Sequence, residues 1–186
     1  MKRRDFIKAS ATTGIAISAA NTFAGEPQRK IRLGMIGVGL RGTWHLKNAL
    51  ERDDVEIKAI CDIDPSRNKI AQAMIAKAGQ KRARVFDRGD FAYRDLLKQR
   101  NIDAVIISTP WLWHVPMAVD AMKAGKYTGL EVSGASSVEE CWELVRTHER
   151  TGTHVMFLEN VCYRREVMAV LRMVREGMFG EVIHCQ

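Results

Sequence analysis

Twelve consecutive residues, Ile31-Arg-Leu-Gly-Met-Ile-Gly-Val-Gly-Leu-Arg-Gly42, restrict the fold of this chain more than any others. An apolar run ends in Gly37-Val-Gly39-Leu-Arg-Gly42, and an amphipathic segment, Thr43 to Leu50, follows. Strand, glycine turn and helix in that order form the opening unit of a dinucleotide-binding α/β fold. Each glycine has a physical task. Gly37 permits the tight turn out of the strand, Gly39 has no Cβ to hold a pyrophosphate off the backbone, and Gly42 lets the helix pack close to the sheet. An anion would then lie on the free N–H groups and positive dipole end of that helix. Glycine-rich turns are common, so the remainder of the chain decides what this one means.

After a short polar linker (residues 25–30), apolar runs and helical patterns alternate. The first unit predicts a strand over 31–36 and a helix from about 42. A strand over Val55–Cys61 follows, then a helix over Ser66–Ala78 with Asp64 as N-cap, Pro65 at N1 and Gly79 just past its end. Next come a short strand at Arg84–Phe86, a helix over 91–99 that turns Leu96 and Leu97 inward, and a nearly all-apolar strand over 102–108, as a central parallel strand requires. A loop at Trp111–His114 leads to a helix over 115–124, a strand over 127–132, a helix from Val138 to Glu149, a strand over 154–159 and a helix over 166–176. Such alternation predicts a parallel, doubly wound (Rossmann-type) sheet, complete by about residue 160. The nucleotide domain is thus expected over 30–178. A fresh strand over 181–186 would open a second α+β domain at 179–186, cut short by the end of the chain, unless it adds to the edge of the first sheet.

A length of 186 residues suits one full domain and a stub of another. The formal charge of +7 is partly local, because Lys2, Arg3, Arg4 and Lys8 against Asp5 carry +3 of it in the first 24 residues. No basic run with interleaved aromatics follows, which argues against a nucleic-acid partner. Residues 1–24 read as a signal peptide: paired arginines, a short mildly apolar stretch and a small-residue end at Ala24 suggest twin-arginine export to the periplasm or beyond. The stretch is too short and too polar for a permanent membrane anchor. Twin-arginine export carries folded proteins, which suits a protein that acquires a nucleotide before leaving the cytoplasm. Cys61, Cys141, Cys162 and Cys185 are widely spaced with no metal-ligand grouping, and they read as small buried hydrophobes. No metal site is expected.

In a doubly wound sheet, ligands bind past the carboxyl ends of the strands. Asp62 ends the second strand, 20 residues beyond Gly42. A carboxylate there accepts the ribose hydroxyls of an adenosine and repels a 2′-phosphate, favouring NAD over NADP; alternatively it is a turn residue that caps the next helix. Trp111-Leu-Trp-His114 puts two indoles in a loop, either walling a nicotinamide ring or a sugar face, or packed under neighbouring helices. Glu131 ends the fifth strand and Asn160 the sixth, each a ligand contact or a solvated turn residue. Trp142, Met156, Met168 and Met173 read as packing residues. Tyr163, Arg164 and Arg165 are either substrate contacts or a basic helix start.

Gly37-Val-Gly-Leu-Arg-Gly42, Asp62, Ser108-Thr-Pro110 with Trp111-Leu-Trp-His114, Glu131-Val-Ser-Gly-Ala135 and Glu159-Asn-Val-Cys-Tyr-Arg164 resemble the glucose–fructose oxidoreductase (Gfo/Idh/MocA-like) family. More narrowly they are similar to glycoside hydrolase family 109, the NAD-dependent α-N-acetylgalactosaminidases, over that family's N-terminal nucleotide domain. The broader family's dehydrogenases carry Glu-Lys-Pro after the fifth strand, with the lysine at the proton-transfer site; here the residues are Glu131-Val132-Ser133. That departure favours the glycosidase branch. The resemblance implies tightly held NAD that oxidises the sugar at C3, elimination across C1–C2, water addition and re-reduction, with no paired carboxylates. It also implies cofactor contacts from Gly37, Gly39, Leu40, Arg41, Gly42, Asp62, Trp111, Leu112, Trp113, His114, Glu131, Val132 and Asn160. The expected partner is a small-molecule glycoside, an N-acetylgalactosaminide, and assembly with further copies of the chain stays open. Catalytic residues are expected beyond Gln186. The competing readings are an NAD-dependent sugar oxidoreductase and a non-catalytic NAD-binding fragment.

Overall fold

The computed structural model describes residues 29–184. The signal-peptide assignment over 1–24 and Cys185 lie outside the described residues. Among those described, six parallel strands alternate with six helices: β1 (Ile31–Ile36), α1 (Leu40–Leu50), β2 (Val55–Cys61), α2 (Pro65–Lys77), β3 (Arg84–Phe86), α3 (Ala92–Leu97), β4 (Ala104–Ile107), α4 (His114–Lys123), β5 (Tyr127–Leu130), α5 (Val138–Thr151), β6 (Val155–Phe157) and α6 (Arg165–Arg175). Short 3-10 turns at Trp111–Trp113 and Val161–Tyr163 precede α4 and α6. The sheet order is β3-β2-β1-β4-β5-β6, with every pairing parallel. The strand order reverses between β1 and β4. The carboxyl ends of those two strands therefore form the crevice where a doubly wound sheet takes its ligand.

Burial follows from the sequence pattern. Met35, Ile60, Leu46 and Ile75 are wholly buried in a layer that joins one face of the sheet to α1 and α2. Ile36, Val105, Ile107, Leu96, Ala118 and Met122 fill the opposite layer, under α3 and α4. Burying each of the larger side chains stabilises the fold by about 1.5–3 kcal/mol. Asp64 caps α2 by accepting from Ser66 N at 2.8 Å, and Ser137 caps α5 by accepting from Glu140 N at 3.2 Å. Gly152, in the left-handed region at φ 67°, stops α5.

Several expectations need correction. α1 begins at Leu40 rather than 42, because Gly39 supplies the N-cap. α4 begins at His114, and β4, β5 and β6 are each shorter than their apolar runs. Cys61 is buried, but Cys141 and Cys162 are exposed. Trp142, Met156 and Met168 are about half exposed or more, and Met173 is only partly buried. Their periodicity is genuine, but it marks a face that no described element covers. α6 has the apolar stripe Val167, Met168, Val170, Leu171 and Val174, yet buries none of it. Residues 181–184 form no strand. No helix among the described residues is long and apolar enough to cross a membrane.

Candidate functional site

The turn after β1 is tight because of what its glycines touch. Gly37 lies at φ 82°, and a Cβ there would stand 2.6 Å from the Ser108 carbonyl oxygen. Its N–H donates to Cys61 O at 2.8 Å, tying the turn to β2. At Gly42 a Cβ would stand 2.0 Å from Gly37 O. The first turn of α1 is thus seated against the glycine turn itself, a closer reason for Gly42 than contact with the sheet. Gly39 differs: a Cβ there would meet nothing within 4 Å. The space it leaves is open. Gly39 offers no side-chain cap, and the first turn of α1 holds no acidic residue, so its outward N–H groups present their positive ends to that space. The neighbouring Ser108 Oγ is buried with no hydrogen-bond partner among the described residues.

Asp62 is fixed towards this turn. Its Oδ2 accepts from Val38 N at 2.8 Å and its Oδ1 from Asp64 N at 3.0 Å, while its backbone carbonyl accepts from Asn68 Nδ2 at 2.8 Å. The helix-cap alternative for Asp62 falls away, because Asp64 caps α2. Hydrogen bonds from Ser66 hold the Asp64 carboxyl below its ordinary range. Each Asp62 oxygen keeps a lone pair for a ribose hydroxyl. Beside it a cleft of about 120 Å³ opens between Asp62, Ile63, Asp90, Pro110, Trp113 and Met117. Cys61 also lines it, but burial, reinforced by Asp62 and Asp87, pushes its thiol up to about 12. No thiolate nucleophile forms there near neutral pH.

The tryptophan loop divides between the two roles open to it. Trp113 packs edge-on against Phe91 (centroids 5.6 Å apart) and Tyr93 (6.5 Å). Trp111 and Leu112 stay 64% and 78% exposed at the rim, with Leu40 at 83% beside the glycine turn. His114 is 1% exposed, and its Nδ1 and Nε2 face the carbonyls of Ser133 (2.7 Å) and Thr109 (2.8 Å). Its side chain therefore braces two loops instead of projecting as a ligand group.

Glu131 is the main surprise. It is 6% exposed, and its Oε2 receives both Arg41 Nε at 3.0 Å and His45 Nε2. Burial raises the carboxyl and the hydrogen bonds from Arg41 and His45 lower it; the bonds win, and it lies below its ordinary value. Both contacts fall on one oxygen, so Oε1 retains its accepting capacity. The residue expected to touch the cofactor thus also ties the end of β5 across β4 to the first turns of α1. Val132 is exposed beside it. Asn160 is partly buried past β6, where its carbonyl accepts from Tyr163 N at 3.2 Å. Tyr163, Arg164 and Arg165 are exposed. Sequence reasoning missed His45 and Ser108. His45 carries a readable signal, four residues after Arg41 on one helical face; Ser108 stands in the Ser108-Thr-Pro110 motif, but nothing in that motif gives its hydroxyl a ligand role.

All the expected site residues therefore lie at the carboxyl ends of the strands or in the segments that follow them. The open Gly39 space, the uncapped first turn of α1, the orphaned Ser108 hydroxyl and the anchored Asp62 carboxylate fit a dinucleotide's diphosphate and ribose. The family model described as an oxidoreductase family with an NAD-binding Rossmann fold (Gfo/Idh/MocA) matches residues 31–158. Over 188 aligned residues and all of this chain, the sequence is 48% identical to a glycosyl hydrolase family 109 protein of Stenotrophomonas maltophilia, covering 41% of that protein. Over 162 residues it is 50% identical to an α-N-acetylgalactosaminidase of Tannerella forsythia, covering 87% of this chain and 35% of that enzyme. The chain thus spans about two-fifths of these relatives' length. Among solved structures, scyllo-inositol dehydrogenase from Lactobacillus casei superposes with a TM-score of 0.72 at 21% identity, over 84% of this chain and 44% of its own. The WlbA dehydrogenase of Chromobacterium violaceum, solved with NADH and UDP-GlcNAcA, gives 0.70 at 27% identity, over 83% and 42%.

Proposed function

The chain belongs to the Gfo/Idh/MocA oxidoreductase family with its NAD-binding Rossmann fold, and on that premise we propose that it is the nucleotide-holding part of an NAD-dependent glycosidase cleaving α-N-acetylgalactosaminides. The observation that carries the glycosidase branch is the 48% identity to a family 109 protein along the whole chain. Val132 and Ser133 support it, standing where the family's sugar dehydrogenases carry Lys-Pro. When bound, NAD would supply reversible hydride transfer at the sugar's C3, which would make the C2 proton acidic and let the C1 bond break by elimination before water adds.

The residues of this chain hold and orient. First-turn N–H groups of α1 and the open face of Gly39 seat the diphosphate. Asp62 accepts the adenosine ribose hydroxyls and repels a 2′-phosphate. Glu131 Oε1 and Asn160 offer acceptors near the nicotinamide end, and Trp111 and Leu112 shield that end from water. The basic, paired-arginine opening supports a further part of the reading, export of the folded, nucleotide-loaded protein by the twin-arginine route.

The test uses the full-length protein with a p-nitrophenyl α-N-acetylgalactosaminide. Release of nitrophenol with no net NADH is expected. Net NADH formation from a free sugar, without nitrophenol release, would replace the glycosidase by a sugar dehydrogenase.

A further inference from the structure

We propose that His45 is a positioning residue for the diphosphate of the bound nucleotide, acting through Glu131 and Arg41. The proposal rests on the nucleotide reading above and adds a residue to it. A carboxylate buried as deeply as Glu131 must be paired. Two donors converge on its Oε2, Arg41 Nε at 3.0 Å and His45 Nε2. They differ in reach. The Arg41 side chain is 37% exposed and projects from the first turn of α1, its guanidinium 4.8 Å from the centre of the Trp44 ring. His45 lies one turn deeper, 9% exposed, its ring held edge-on by Trp44 with centroids 5.4 Å apart.

A diphosphate on the first-turn N–H groups of α1 draws on the same guanidinium that Glu131 holds, because arginine forks onto phosphate as readily as onto carboxylate. Arg41 is therefore shared between a buried acid and an incoming anion. His45 sets the terms of that sharing. By giving Oε2 a second donor from within the same helix, it lowers the carboxylate's demand for Arg41 and leaves the guanidinium free to swing to phosphate. Without His45, Arg41 is the remaining side-chain donor to Glu131 among the described residues, and releasing it would strand a buried charge.

The test compares ADP with adenosine, so that the diphosphate contribution is read separately from the adenosine pocket. Dissociation constants for both are measured by calorimetry on the wild-type protein, His45→Leu, His45→Gln, Glu131→Gln and His45→Leu/Glu131→Gln. His45→Leu is expected to reduce the preference for ADP over adenosine by about tenfold, the scale of one charge-assisted hydrogen bond. His45→Gln, which keeps a donor, retains most of the preference, and the double variant restores it. Restoration by removing a second group is something that a merely structural histidine would not give. Glu131→Gln alone raises the ADP preference, which keeps the test decisive if His45→Leu fails to fold. An ADP preference unchanged in His45→Leu, lost there without recovery in the double variant, or not raised in Glu131→Gln overturns the proposal. Absence of both adenosine and ADP binding in the wild-type protein would instead remove the nucleotide reading, and this inference with it.

Discussion

At the amino-terminal ends of the strands, Arg32 forks onto Asp103, Nε to Oδ2 at 2.9 Å and Nη2 to Oδ1 at 2.7 Å. Next to it Lys126, 8% exposed, donates to the carbonyls of Gln99 (2.9 Å) and Ile102 (2.8 Å). At the carboxyl-terminal ends of the same strands, the helix after β1 has no side-chain cap, a buried serine hydroxyl has no partner among the described residues, and Leu40, Trp111 and Leu112 stand in solvent. One end closes its polar groups on each other; the other does so only in part, through Glu131 with Arg41 and His45, and leaves a buried hydroxyl unpaired and large apolar side chains in solvent. Uncompensated groups lower stability, so an end that keeps them is organised for something that arrives. The contrast separates residues whose loss should unfold the domain from residues whose loss should empty it.

The largest effect is expected where both properties meet. Gly42→Ala places a Cβ 2.0 Å from Gly37 O, and backbone on both sides cannot yield cheaply. Nucleotide affinity should fall by about a hundredfold or more by calorimetry, with a stability loss of roughly 3 kcal/mol in urea titration. Normal affinity would mean that the turn is not the seat of the diphosphate. At the closed end, Lys126→Met leaves two carbonyls without their donor. A loss of about 1–2 kcal/mol is expected, with the dissociation constant for NAD unchanged; weaker NAD binding would break the division between the ends. Asp62→Asn keeps the shape of the side chain but removes its charge. NAD affinity should drop about tenfold, and discrimination against NADP should shrink with it. Equal discrimination in the variant would take the ribose away from Asp62.

The two ends also differ in how much of them was legible. β2 and β3 match their predicted bounds, because turn residues bracket each short strand-forming run. Asp64 and Pro65 fixed the start of α2 by capping chemistry alone. The glycine turn and Asp62 were legible for the same reason, since their spacing encodes one local unit. What stayed hidden is what the chain brings together from afar. His45 and Glu131 are 86 positions apart, and no periodicity joins a residue of the first helix to the end of the fifth strand. The positions of Trp142 and Met168 predict packing residues, yet both stand about half exposed. Periodicity says that a face exists and is silent on what covers it.

The smallest effect tests the Glu131 cluster through pH. Its carboxyl lies below the ordinary value of 4.5: burial pushes it up, and the hydrogen bonds from Arg41 and His45 more than offset that. Below that value the unfolded chain takes up the proton before the folded one does. The contribution of Glu131 to stability is therefore complete above pH 4.5 and is lost as the pH falls through the lower, folded value. Urea midpoints should show an acid loss attributable to this residue, absent in Glu131→Gln. Arg32 and Asp103 at the other end are untouched by that substitution, so whatever acid loss they cause should persist in the variant. An acid limb identical in both proteins would mean that Arg41 and His45 do not hold Glu131 as an ion, and the open end would lose a charged cluster that ties its helix to its strands.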